Sequence, residues 1–184
     1  MHKLKQKNRI SQIMVSLAWI SLLVMVSIGF ERYLQKQENP NDRPAEVLTA
    51  DGSTAVVKLL QNRQGHYIAE GKLNGHWASL ILDTGATNIS IPGDVADRMG
   101  LKEGIPERTR TANGDIIVFK TVLDSVKLGA IELVNVPAHV NPHMKGEGVL
   151  LGMSFLKHLD MNQKDGALTL RLKQIKSIDS RSRY

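Results

Sequence analysis

Cysteine is missing from all 184 residues, and aromatic side chains are scarce, with three Phe, three Tyr and two Trp. Without cysteine the chain can form no disulfide, no thiol nucleophile and no thiolate zinc site. The shortage of aromatics removes the stacking platform that single-stranded nucleic acid needs, so the net charge of +6 does not point to nucleic acid. That excess is also local. Lys3, Lys5, Lys7 and Arg9 carry most of it, and beyond residue 31 acidic and basic residues are interspersed and nearly balanced. No internal repeat is present, so one domain is expected.

Ser11 to Phe30 holds no charged side chain and is dominated by Ile, Val, Leu, Met and Ala. As a helix this run covers about 30 Å, the thickness of a bilayer core. Basic residues crowd its N-terminal side, whereas Glu31 and Arg32 follow it. The positive-inside rule keeps residues 1–10 in the cytoplasm and exports everything after residue 31. Residues 11–30 therefore read as a single-pass transmembrane signal anchor. A cleaved signal peptide is the competing reading, with Ser27-Ile28-Gly29 a weak match to a cleavage site. Residues 31–53 turn to Gln, Asn, Asp, Glu and Pro. Pro40 and Pro44 break any helix there, and the segment reads as a flexible linker.

Residues 54–172 read as the folded domain. Ala55–Leu60, His66–Leu73 and His76–Leu82 are β-type runs, the last two joined by the hairpin signal Asn74-Gly75. A short helix is expected between Pro92 and Gly100, with Pro near its start and Gly just past its end. A second hairpin is expected about Asn113-Gly114 and a third about Gly129, followed by an irregular loop from Pro137 to Glu147. Gly148–Gly152 reads as a strand, Met153–His158 as a brief helix, and Ala167–Leu172 as the last strand. Residues 173–184 form a polar, basic tail.

Within this domain, Leu80-Ile81-Leu82 delivers Asp83 into Thr84-Gly85-Ala86, and a second apolar run, Ile89-Ser90-Ile91, then leaves it. A carboxylate held in a tight turn between apolar strands is costly unless it is paired or used. Further along, Leu150-Leu151-Gly152 opens a helix with Leu156 one turn on. Together these features resemble the retropepsin-like aspartic proteases (clan AA). Their half-size domains carry one Asp-Thr-Gly-Ala and a later hydrophobic-hydrophobic-Gly. The resemblance covers about residues 55–172. With the anchor, the chain looks like the bacterial, membrane-tethered, single-domain members.

That resemblance implies an all-β fold: a single lobe, half of the closed acid-protease barrel, with two short helices and one preceding transmembrane helix. It implies an aspartic endopeptidase in which Asp83 is catalytic and Thr84, Gly85 and Ala86 support its loop. Ala112, Asn113 and Gly114 would form a flap over an extended peptide, and Leu150, Leu151 and Gly152 would pack beneath the loop. The chemistry needs two facing carboxylates, and the chain has one such loop, so a homodimer is a condition of activity. The expected partners are a peptide or protein substrate, a second copy and, through residues 11–30, the bacterial inner membrane, with the domain in the periplasm. No nucleic acid, metal or other cofactor is implied.

This sequence departs from the retroviral pattern in three places. Thr87 stands where Asp commonly follows Asp-Thr-Gly-Ala, the flap keeps one Gly, and Met153 replaces a frequent Arg. These positions bear on dimer strength and flap geometry rather than on the reaction. The competing reading is a non-catalytic peptide-binding or dimerisation module, with Asp83 a relic. Two rival sites are weaker. His139, His143 and Glu147 have metal-like spacing, but Pro137 and Pro142 argue against a helix to carry it. Ser154 near His158 and Asp160 lacks the Gly-x-Ser-x-Gly context of a serine nucleophile. For the topology, a reporter fused after Tyr184 is expected to be active only when exported; cytoplasmic activity would overturn the anchor orientation.

Overall fold

The structure, a computed structural model, describes residues 2–48, 55–111 and 114–173. It divides into two units, Met1–Glu38 and Asn39–Tyr184. The first is a single helix, α1 (His2–Glu38). Its segment Gln12–Glu38 is long and apolar enough to cross a membrane.

The linker expected over 31–53 needs correction. Residues 31–38 continue α1, whose sequence Glu-Arg-Tyr-Leu-Gln-Lys-Gln-Glu is made mainly of helix formers, and the helix stops just short of Pro40. The chain then joins the second unit at once. Asn41 is 3% exposed. Its Nδ2 donates to the carbonyls of Leu60 (2.8 Å) and Ile68 (2.7 Å), and its Oδ1 accepts from the Leu60 N–H (2.7 Å). A strand follows at β1 (Ala45–Leu48). The rest of the expected linker and all of the expected tail except Lys173 lie outside the described residues.

Ten further strands and two short helices follow in chain order: β2 (Ala55–Leu60), β3 (Ile68–Leu73), β4 (His76–Leu82), β5 (Ile89–Pro92), α2 (Gly93–Arg98), β6 (Pro106–Thr111), β7 (Gly114–Leu128), β8 (Ile131–Asn141), β9 (Gly148–Leu151), α3 (Met153–Leu156), β10 (Leu159–Lys164) and β11 (Ala167–Leu172). Six of these strands close on themselves in the order β3-β4-β9-β5-β8-β7, because β7 pairs back onto β3 at Lys72↔Lys127 and Leu73↔Val126. Strand β6 hangs on the outer edge of β7. A separate four-stranded sheet runs β1-β2-β11-β10. The fold is thus mostly β, a closed barrel with few helices. Its inside is filled by alternate residues of the strands, among them Leu73, Leu80, Ile89, Ile91, Leu123 and Leu151, all fully buried.

Two expected boundaries differ. The second and third hairpins share one uninterrupted 15-residue strand, β7. The chain also stays extended through Pro137, expected to begin a loop. Pro137 pairs with Val122 on β7, whereas the pairing of β8 with β5 begins only at Ala138. No partner on that side needs an N–H from position 137, which is where a strand tolerates proline. Strand β10 was not expected: five of its six residues are exposed, so its sequence carries little alternation.

Because Asn41 closes the seam between β2 and β3, Asn41→Ala should leave buried polar groups unpaired and lower stability by about 1–3 kcal/mol. The denaturation midpoint of the full chain measures this, and an unchanged midpoint would contradict that role.

Candidate active site

The Asp83 loop sits where three strands meet. Strand β9 lies between β4 and β5, parallel to the first (Leu82↔Leu151) and antiparallel to the second (Ser90↔Leu150). The chain leaving β4 must therefore pass over the end of β9 to reach β5. That crossing is the loop. It is tied down from below: the Asp83 N–H donates to Leu151 O (3.2 Å), the Met153 N–H to Ala86 O (2.8 Å) and the Ser154 N–H to Thr87 O (2.9 Å). The Ser154 hydroxyl, buried, accepts from the Ile89 N–H at 3.0 Å. Gly152 is buried beneath, and a Cβ there would collide with the carbonyls of Asn88 and Ala86.

The carboxylate itself is held by its own turn. Its Oδ1 accepts from the Gly85 N–H at 2.8 Å, and the Ala86 N–H donates to the Asp83 carbonyl at 3.3 Å. Asp83 and Ala86 are half-buried, while Thr84 and Gly85 stand exposed at the tip. Asp83, Gly85, Ala86 and Leu150 line one cleft of about 660 Å³, whose opposite wall is the inner face of β6 and β7. Leu151 and Gly152 lie under the loop instead of in the cleft. Gly114 opens β7 with φ +114°, and the Thr111 hydroxyl donates to its carbonyl at 2.8 Å. Ala112 and Asn113 lie outside the described residues, so of the expected flap only Gly114 is placed.

Two residues that sequence reasoning did not select, Glu107 in the cleft and Lys120 beside it, meet His139, which the sequence singled out only for a rival metal site. Glu107 on β6, Lys120 on β7 and His139 on β8 fall on one face of three adjacent strands. Lys120 Nζ is 3.0 Å from Glu107 Oε1, and His139 Nε2 is 2.9 Å from Glu107 Oε2. His139 Nε2 also lies 3.4 Å from Asn88 Nδ2, just before the strand β5 that pairs with β8. The hydrogen bond from Lys120 chiefly, with the nearby charges of Lys120 and His139, holds the Glu107 carboxyl below the usual carboxylate range, while burial opposes them. Only the register of three strands unites these residues, so no local motif could have revealed them.

Neither rival site is assembled. His139 faces Glu107, and Glu147 pairs with Arg98. Among the described residues no group of three His, Asp or Glu could hold a metal ion. Ser154 is committed to the backbone of Ile89, and His158 is exposed.

The family model described as "gag-polyprotein putative aspartyl protease" matches residues 69–158. A crystal structure of a retropepsin-like aspartic protease from Rickettsia conorii superposes with a TM-score of 0.56 at 25% identity, covering 71% of this chain and 96% of that one. EIAV protease in complex with an inhibitor gives a TM-score of 0.43 at 17% identity, over 52% of this chain and 89% of that one. A Sinorhizobium protein described as "Uncharacterized protein in cobV 5'region" is 31% identical over 122 residues, 65% of this chain. The chain spans about half the length of that curated relative, 52%.

Since Ser154 serves the loop and not chemistry, Ser154→Ala should strand the buried Ile89 N–H and cost about 1–3 kcal/mol of stability. Thermal unfolding of the full chain is the check; wild-type stability with abolished activity would instead make Ser154 a chemical participant.

Proposed function

Because this chain belongs to the retropepsin-like aspartic proteases, we propose that it is an aspartic endopeptidase, active as a homodimer and held at a membrane by α1. The observation that carries this reading is the placement of Asp83. A carboxylate on a tied loop lines a cleft of about 660 Å³, and the tip of that loop is exposed. The barrel is a single lobe with one such loop.

Two carboxylates about 3 Å apart cannot both ionise, so a facing pair shares one proton. In the dimer the ionised Asp83 takes a proton from a bound water as the water oxygen attacks the peptide carbonyl carbon. The protonated Asp83 of the partner subunit donates its hydrogen bond to the carbonyl oxygen, which takes up the developing charge. The tetrahedral intermediate then collapses, the C–N bond breaks, and a proton passes from the pair to the leaving nitrogen. Thr84, Gly85 and Ala86 hold the turn in which this happens. The flap over the bound strand, which would pair by β-addition, is assigned to Ala112, Asn113 and Gly114 from the resemblance. No cofactor enters the reaction.

Anchoring through residues 11–30, with the domain on the periplasmic side of the bacterial inner membrane, would confine the copies to two dimensions. Their effective concentration rises accordingly, which favours a weak dimer.

The test is cleavage of an unstructured protein by the full chain between pH 4 and 7, beside Asp83→Asn. Activity should fall by about 10³-fold or more in Asp83→Asn. Cleavage that survives the substitution would sink the aspartic mechanism. Absence of cleavage by either form, with dimerisation retained in both, would favour the non-catalytic module.

A further inference from the structure

From the cleft wall opposite Asp83 we infer that Glu107 is a specificity-determining residue, which selects substrates carrying a lysine or arginine side chain close to the bond that is cut. This rests on the reading of the cleft as a peptide site. It goes beyond that reading because the aspartic mechanism makes no use of Glu107, Lys120 or His139.

The argument begins with what is spent and what is free. An ionised carboxylate offers about four acceptor positions. Glu107 uses one oxygen toward Lys120 at 3.0 Å and the other toward His139 at 2.9 Å, so acceptor capacity remains on both. Its side chain is 37% exposed and lines the cleft. The donors around it are already committed. His139, 13% exposed, directs Nε2 at Glu107. Arg108 and Arg110 at the cleft edge are both paired with Asp115, at 3.0 and 3.3 Å. What Glu107 itself presents to a peptide is its spare acceptor capacity and its carboxylate charge, beside the Arg108 and Arg110 guanidiniums that share Asp115.

Lys120 does not line the cleft, and it is 55% exposed. It can swing into solvent at little cost, since an exposed ion pair of this kind contributes little, leaving its place on Glu107 to a cation from the substrate. A cation on Glu107, whether Lys120 or a substrate side chain in its place, lowers the Glu107 pKa by hydrogen bonding and so favours its charged form. Asp83 and Glu107 line the same cleft, so a peptide bound at Asp83 passes the Glu107 wall.

The measurement is binding of matched extended peptides to the full-length Asp83→Asn chain in detergent, by fluorescence anisotropy at pH 5.5. The peptides differ at a single position, Lys, Glu or Leu. With Glu107 present the Lys peptide should bind roughly ten-fold more tightly than the Leu peptide, and the Glu peptide more weakly than either. The isosteric Glu107→Gln, in the same background, should erase the difference between Lys and Leu, and Glu107→Lys should invert the order of Lys and Glu. A charge preference that persists in Glu107→Gln, or tighter binding of the Leu peptide by the unaltered wall, would overturn the assignment of Glu107 alone. Failure of every peptide to bind would overturn the peptide-site reading and this inference with it.

Discussion

One close approach governs the site. The carbonyls of Ala86 and Asn88 stand where a Cβ on residue 152 would have to be, so the loop can cross the end of β9 only because residue 152 has none. Around that contact the backbone hydrogen bonds of Leu151, Met153 and Ser154 meet the loop from below. Buried polar groups that find partners in this way make a site stiff, because each would be costly to leave unpaired. The result is a carboxylate whose position is set by the barrel and not by a mobile turn.

Much of this was legible in the sequence. Asp83 with its small neighbours, the apolar strands on either side, and Leu150-Leu151-Gly152 are local patterns, and local patterns survive folding. The helix between Pro92 and Gly100 is of the same kind, with Pro92 just before α2 and Gly100 at φ +64° just after. The failures share a cause. Asn41 looks like one more polar residue in a Pro-containing spacer, and only the carbonyls of Leu60 and Ile68 make it structural. Pro137 ends a strand by propensity, yet it lies within β8 at a position that β5 does not reach. Glu107, Lys120 and His139 are 13 and 19 positions apart in sequence and meet only through the pairing of β6, β7 and β8. Tertiary pairing decided each of these.

The two walls of the cleft differ in chemistry. The loop side is built from small residues and backbone, as a site for a reaction common to all peptide bonds would be. The β6–β8 side adds the Glu107 carboxylate, the His139 imidazole and the Arg108 and Arg110 guanidiniums, whose arrangement depends on side chains. In the proposed function, the loop wall would carry the general peptide chemistry and the β6–β8 wall the discrimination.

The central claim is that the working site needs Asp83 from two chains. It is tested most directly by co-expressing wild-type and Asp83→Asn chains in equal amounts and measuring cleavage at constant total protein. If the carboxylate pair is shared, random assembly leaves about a quarter of the dimers with both carboxylates, and activity should fall to about a quarter of the wild-type value. A fall to only about one half would mean that each chain works alone, and would contradict the account.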